Sequence, residues 1–174
     1  MQDPAATLFS FPNPVNELAA RTVAFVVMLM CIAAIVFGEP WLLVPIAYGF
    51  WARVLTGPRL SPLGQLATRV VAPRLGPARP VPGPPKRFAQ AMGAAMSTAA
   101  VVLWFGLGDH TATWAVLALI VVAAALESLA GYCLGCKVFA LLMKAGVIPE
   151  KVCLECADLS RRHRELAADH QATS

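Results

Sequence analysis

Two cysteine pairs at CxxC spacing stand near the end of the chain, Cys133 with Cys136 and Cys153 with Cys156, with sixteen residues (137–152) between them. Thiols spaced in this way can do two kinds of chemistry. As four thiolates they can hold a structural zinc ion, because the separation falls in the range used by four-cysteine zinc sites. As dithiols they can be oxidised and reduced, or carry a persulfide, because residues three apart share one face of a helix. A positive neighbour then lowers the thiol pKa toward the reactive thiolate. Lys137 adjoins the first pair. Cys153 falls in the first turns of an expected helix, where the helix dipole favours an anion.

Geometry separates the two readings. Lys137 and Ala157 stand where a metal knuckle usually carries Gly. If the chain forms a straight helical hairpin turning near Val147, Cys136 and Cys156 come to similar heights, while Cys133 and Cys153 are offset by roughly 12 Å. Four sulfurs each about 2.3 Å from one ion cannot span that offset. Zinc therefore requires a bend at Gly131 or Gly135, and the redox reading requires none. Cys133, Cys136, Cys153 and Cys156 are accordingly the candidate thiol-redox residues, and the same four are the ligands in the zinc alternative, that of a non-enzymatic membrane scaffold. Whether the protein is an enzyme stays open.

The elements that must position these thiols are apolar. Hydrophobic residues make up 58% of the 174 and charged residues 14%, with a mean hydropathy of +0.65. That balance excludes an ordinary water-soluble domain and points to an all-α, polytopic membrane protein. Four runs read as spans, at about 18–37, 41–56, 88–108 and 112–131, the second being the shortest against a hydrocarbon layer of roughly 30 Å. Residues 1–16 form a Pro-marked lead-in without the basic start of a cleavable signal. Residues 57–87 form a loop that carries Arg59, Arg69, Arg74, Arg79, Lys86 and Arg87 and no acid. Such a loop belongs on the cytoplasmic side, which places both termini there too, with Gly38–Pro40 and Asp109–Thr111 outside. Within it, Leu63, Leu66, Val70 and Val71 recur at the spacing of a short helix lying on the membrane surface. Residues 132–174 are then a cytoplasmic hairpin and helical tail. In the cytosol permanent disulfides are disfavoured. Cys31, within the first span, reads as a packing residue, and His110 as a solvated turn residue.

Charges inside spans are costly and normally find partners in the bundle. Glu127, Arg53, Arg21 and Glu17 all fall at the thiol end, and the expected pairing is Glu127 with Arg21 or Arg53. An ion pair that fixes helix packing is the simpler reading of this layer, and a path for a small molecule or ion is the sharper one. The third span is rich in small residues (Ala89, Gly93, Ala94, Ala95, Ser97) and should face other helices. The basic loop lacks the interleaved aromatics of a nucleic-acid surface, so lipid headgroups are its expected partner and nucleic acid is not.

The segments Pro12-Asn13-Pro14-Val15-Asn16-Glu17, Gly57-Pro58-Arg59-Leu60-Ser61-Pro62, Gly83-Pro84-Pro85-Lys86-Arg87-Phe88-Ala89-Gln90 and Cys133-Leu134-Gly135-Cys136 carry a resemblance. Over roughly residues 12–160 the chain resembles uncharacterised bacterial four-helix membrane proteins, a domain of unknown function, with actinobacterial members most similar. The resemblance implies a bacterial inner-membrane location, a thiol pair as the chemical mark, and a thioredoxin-like or sulfurtransferase partner. It implies no catalytic residue. Homo-oligomerisation is compatible with it.

Overall fold

The computed structural model describes residues 11–148. Asn16 starts the first helix: its Oδ1 accepts from the Leu18 N–H at 3.0 Å, and Glu17 follows at the positive helix end. This helix, α1 (Glu17–Phe37), closes on Gly38 in the left-handed conformation at φ 67°, which glycine adopts without steric cost. A 3-10 turn, Pro40–Leu42, leads into α2 (Leu43–Thr56). With 14 residues, α2 is about 21 Å long.

The basic segment is less of a loop than its prolines suggest. Ser61 caps α3 (Pro62–Leu66), accepting from the Gly64 N–H at 3.1 Å, and the chain continues through a π turn (Ala67–Val71) into α4 (Ala72–Leu75). Pro73 lacks the N–H that would bond one turn back, and the widened π turn lies just ahead of it. Ala67 and Ala72 are buried in the core, whereas Leu66, Val70 and Leu75 are exposed. A two-residue antiparallel ribbon, Val15 opposite Val81 and Asn16 opposite Pro80, ties the lead-in to the end of this segment.

The expected third span begins earlier than the prolines imply. Helix α5 (Gly83–Val101) takes Pro84 and Pro85 into its first turn, where the missing N–H groups would be unbonded in any case. It runs on as a π segment, Val102–Leu107. After Gly108, Asp109 caps α6 (His110–Ala130) by accepting from the Ala112 N–H at 2.9 Å. Helix α7 (Leu134–Lys144) follows a three-residue break.

Helix α1 packs against α6 and α2 against α5, with α5 also against α6 and α7. The interior uses small residues, as backbones approaching closely in lipid require: Ala34, Ala94, Ala100, Ser97 and Cys31 are buried. Gly93 admits the Phe50 ring where a Cβ would collide with it. Of the small residues in α5, Gly93, Ala94 and Ser97 face inward and Ala95 outward. Phe25, Leu29, Val36, Phe105, Leu119 and Val122 are exposed on the outer surface. Three helical stretches, Glu17–Phe37, Gly83–Leu107 and His110–Ala130, are long and apolar enough to cross a membrane, and that surface is consistent with contact with lipid.

Candidate functional site

The site is built at the end of the bundle where α6 stops. Gly131 adopts φ 67°, and its N–H and that of Tyr132 both return to the Leu126 carbonyl, the latter at 3.0 Å, a widened helix-ending turn closed by a left-handed glycine. The carbonyls of Ser128 and Leu129, left without helical partners, are taken by Arg21. Its Nε and Nη2 donate to Ser128 at 3.1 and 3.0 Å, and its Nη2 to Leu129 at 2.9 Å. Glu17 lies 3.9 Å from Arg21 Nη1. Arg21 is therefore a clamp on the α6 C-terminus, where a cation is also favoured by the helix dipole.

Because α6 ends there, the first thiol pair does not continue a membrane helix, contrary to the straight-hairpin expectation. Cys133 is the N-cap of α7 and Cys136 lies in its first turn. The bend is at Gly131. Gly135 stays helical and is in close contact with Ala89 of α5, leaving no room for a Cβ. Cys133 is buried and Cys136 half-buried, and both are free thiols.

The pair is electrically asymmetric. The hydrogen bond from the Cys136 thiol pulls Cys133 down to about 7, assisted by Lys86 and the Cys136 N–H and opposed by burial and Glu127. Donating that hydrogen bond pushes the Cys136 thiol up, and burial adds to the rise. Hydrogen bonding within the pair therefore favours the thiolate form of Cys133 over that of Cys136. The cation acting on both is Lys86. Lys137, the neighbour in sequence, sits 5.3 Å over the Tyr132 ring.

Lys86 also corrects the expected ion pair. Its Nζ lies 2.6 Å from Glu127 Oε1, with both side chains largely buried. Arg21 is committed to the carbonyls. Arg53, 6% exposed, donates from Nε to Gln90 Oε1 at 2.8 Å and from Nη1 to Ser61 Oγ at 3.4 Å. Lys86 was hidden in the sequence by its position in an apparent loop. The available signal was Gly-Pro-Pro read as a helix start, which brings Lys86 into the first turn of α5.

Two cavities flank this layer. One, of about 260 Å³, is lined by Arg53, Gln90, Glu127 and Cys133 above an apolar wall that includes Val27 and Leu119. The other, of about 250 Å³, lies among Pro12, Asn16, Gly57, Pro58 and Lys86 and shares Arg53 and Gln90 with the first. The sequence segments around Pro12, Gly57 and Gly83 meet here. Gly57 is in close contact with Pro12, and the Gly83 N–H donates to Asn13 Oδ1 at 3.1 Å.

Cys153 and Cys156 lie outside the described residues, and so does the expected tail helix. Among the described residues no cluster of three or more His, Cys, Asp or Glu is arranged to hold a metal ion. Cys31 is wholly buried. His110 is exposed, the first residue of α6, and stacks on Trp104 at 4.0 Å between ring centres.

The described residues form a helical bundle with three stretches long and apolar enough to cross a bilayer, a buried ion pair at one end and two free cysteines where the last of them stops. The chain belongs to the DUF4395 family, a domain of unknown function, whose model matches residues 15–144. The matched range contains Cys133 and Cys136 and ends before Cys153 and Cys156. No curated protein and no solved structure matches the chain.

Proposed function

We propose that this is a multi-pass protein of the bacterial cytoplasmic membrane whose Cys133–Cys136 pair exchanges electrons or sulfur with a soluble thioredoxin-like or sulfurtransferase partner on the cytosolic face. The observation that carries the reading is the placement of the pair, two free thiols with Cys133 the N-cap of α7 and Cys136 in its first turn, where Cys136 and Lys86 both favour the Cys133 thiolate. In the exchange, the Cys133 thiolate attacks a disulfide of the partner and one partner sulfur departs as a thiolate. With Cys133 no longer anionic, the Cys136 proton passes to that departing sulfur. Cys136 then attacks the mixed disulfide, the second partner sulfur leaves, and the protein is oxidised by two electrons while the partner is reduced. The reverse sequence reduces the protein.

In this reading α2 is the fourth span. The 3-10 turn and α2 run helically from Pro40 to Thr56, about 25 Å, with Val44, Tyr48, Trp51 and Leu55 exposed outward and Leu43 and Ile46 buried inward. An even number of crossings puts both termini on the side of the basic segment, which is cytosolic by its arginines.

The test is thiol counting on the purified protein by intact mass after alkylation. Reduced protein should take label on both Cys133 and Cys136, and protein treated with diamide on neither. Equal labelling in the two states would falsify the redox reading. Cys136→Ala should also raise the midpoint of Cys133 alkylation from about pH 7 toward the ordinary thiol range, because the strongest donor to the thiolate is lost.

A further inference from the structure

The cavity beside Cys133 is a groove rather than a closed hole. Its wall descends from Cys133, Glu127 and Gln90 at the thiol end to Val27, Met96 and Leu119. Glu127 and Leu119 are eight residues apart on α6, so the groove follows that helix for about 12 Å. Leu119 is 60% exposed on the outer surface, within a stretch long and apolar enough to cross a membrane. The groove therefore opens sideways, between α5 and α6, onto a surface suited to lipid. A molecule dissolved in a bilayer reaches Cys133 by this route without entering water.

The lining restricts what that molecule can be. Glu127 stands in the wall, bound to Lys86 at 2.6 Å, and its carboxylate disfavours an anionic head. Gln90 gives its Oε1 to Arg53 Nε at 2.8 Å, which leaves the amide NH2 as a donor for a carbonyl oxygen. An apolar cavity of about 150 Å³ accommodates benzene, so about 260 Å³ accommodates a substituted ring but not a phospholipid with two chains. Phe50 and Met96 in the wall are favourable neighbours for such a ring. The reactive group at the end of the groove is a dithiol, whose oxidation releases two electrons. A neutral ring with carbonyl oxygens, soluble in hydrocarbon and able to take two electrons, is a quinone.

We propose that the groove binds a membrane-borne quinone, its ring against Phe50 and Met96, one carbonyl on Gln90 and its apolar tail leaving past Leu119, and that this quinone oxidises the Cys133–Cys136 pair. The proposal rests on the thiol-redox reading and supplies its second electron carrier. The Cys133 sulfur bonds to a carbonyl carbon of the quinone, and the π pair of that carbonyl moves to its oxygen, which takes a proton. Cys136 loses its proton and attacks Cys133 Sγ. The sulfur–carbon bond breaks, its electron pair passes through the ring to the other oxygen, and that oxygen is protonated. One disulfide is formed, and the two electrons leave with two protons as quinol. The disulfide then takes electrons from a dithiol of the soluble partner by thiol–disulfide exchange.

The experiment uses the full chain, reduced and freed of reductant, in a neutral maltoside detergent at pH 8 without oxygen. The probe is decylubiquinone, whose ring is fully substituted, and the readouts are quinone absorbance and the alkylatable thiols counted peptide by peptide. The expected result is quinol formed in step with closure of the Cys133–Cys136 pair, one for each disulfide, and none from protein already closed by diamide. Ala123 is half-buried in the groove wall, so Ala123→Phe should displace the ring and slow the reaction at least tenfold. Trp104→Leu, at the other end of the bundle, should leave the rate within about twofold. If diamide closes the pair and the quinone does not, the quinone site is overturned and the redox reading stands. If neither closes it, the redox reading falls and this proposal with it. An Ala123→Phe protein as fast as the unaltered one would put the reaction outside the groove and also overturn the proposal. Should that variant not fold, a photoreactive azidoquinone on the unaltered protein decides. Label on the peptides holding Met92 and Met96 or Leu119 and Ala123 is then the expected result, and label elsewhere alone overturns the site.

Discussion

The two ends of the bundle are made from the same helices and solve opposite problems. At the far end, where Gly38 and Gly108 turn the chain, contacts are aromatic: Trp41 with Phe105, and Trp104 with both His110 and Trp114. Such rings suit the boundary between lipid and water. At the thiol end, Lys86, Glu127, Arg53, Gln90 and Ser61 are drawn inside, Lys86 bonded to Glu127 and Arg53 to both Gln90 and Ser61. Burying charge stabilises poorly compared with burying hydrocarbon, and among the described residues the buried charged side chains, Arg53 and Lys86, both lie at the thiol end.

The comparison is broken most severely by removing one member of the ion pair. Lys86→Met leaves Glu127 buried and unpaired and should destabilise by about 3–5 kcal/mol, read as a lowered Tm in detergent. Adding Glu127→Leu should recover most of the loss, and a double variant no more stable than the single one would show that the pair is not the cause. Gly135→Val comes next. A side chain there meets the Ala89 backbone, which cannot yield as a flexible side chain would, so α7 should lift from α5 at about 1–3 kcal/mol. Faster hydrogen exchange confined to α7 is the expected signature. Gly131→Ala should cost about 1 kcal/mol from its left-handed backbone alone, because the nearest atoms, Glu17 Oε1 and Arg21 Nη1, lie at 3.4 and 3.5 Å and would accept a methyl group. At the far end Trp104→Leu should cost about 0.5–1.5 kcal/mol and leave the pH profile of Cys133 alkylation where it was. A shift in that profile would show that the two ends are coupled.

Much of this architecture was legible in the sequence, for physical reasons that also explain what was not. The long helices announce themselves because an apolar run of twenty residues bounded by Gly has few alternatives. Gly38, Gly108 and Gly131 end helices where the hydrophobic pattern ends. The level of Glu127, Arg53 and Arg21 could be read because depth follows from counting residues along a helix. Partner choice was not legible: it depends on rotation about the helix axis and on where α5 begins, and the Gly-Pro-Pro start concealed five residues of that helix. Gly131 and Gly135 could both be named as places to bend, but which of them does so is decided by one backbone angle at Gly131, which composition cannot report. The cavity arises from Phe50 lying against Gly93 and from Arg53 reaching Gln90, contacts between residues about forty positions apart in the chain.

The Arg21 clamp has a consequence for the order in which the protein is made. Arg21 leaves the ribosome more than a hundred residues before Ser128 and Leu129, the carbonyls it must grip, and Glu17 likewise precedes Arg79, whose carbonyl its N–H bonds at 2.8 Å. The N-terminal end of the first helix is therefore made well before its fastenings, and the contacts that close this end of the bundle form only after Leu129 has been synthesised. A nascent chain arrested short of Ser128 should leave Arg21 open to protease, and one arrested well past Leu129 should protect it.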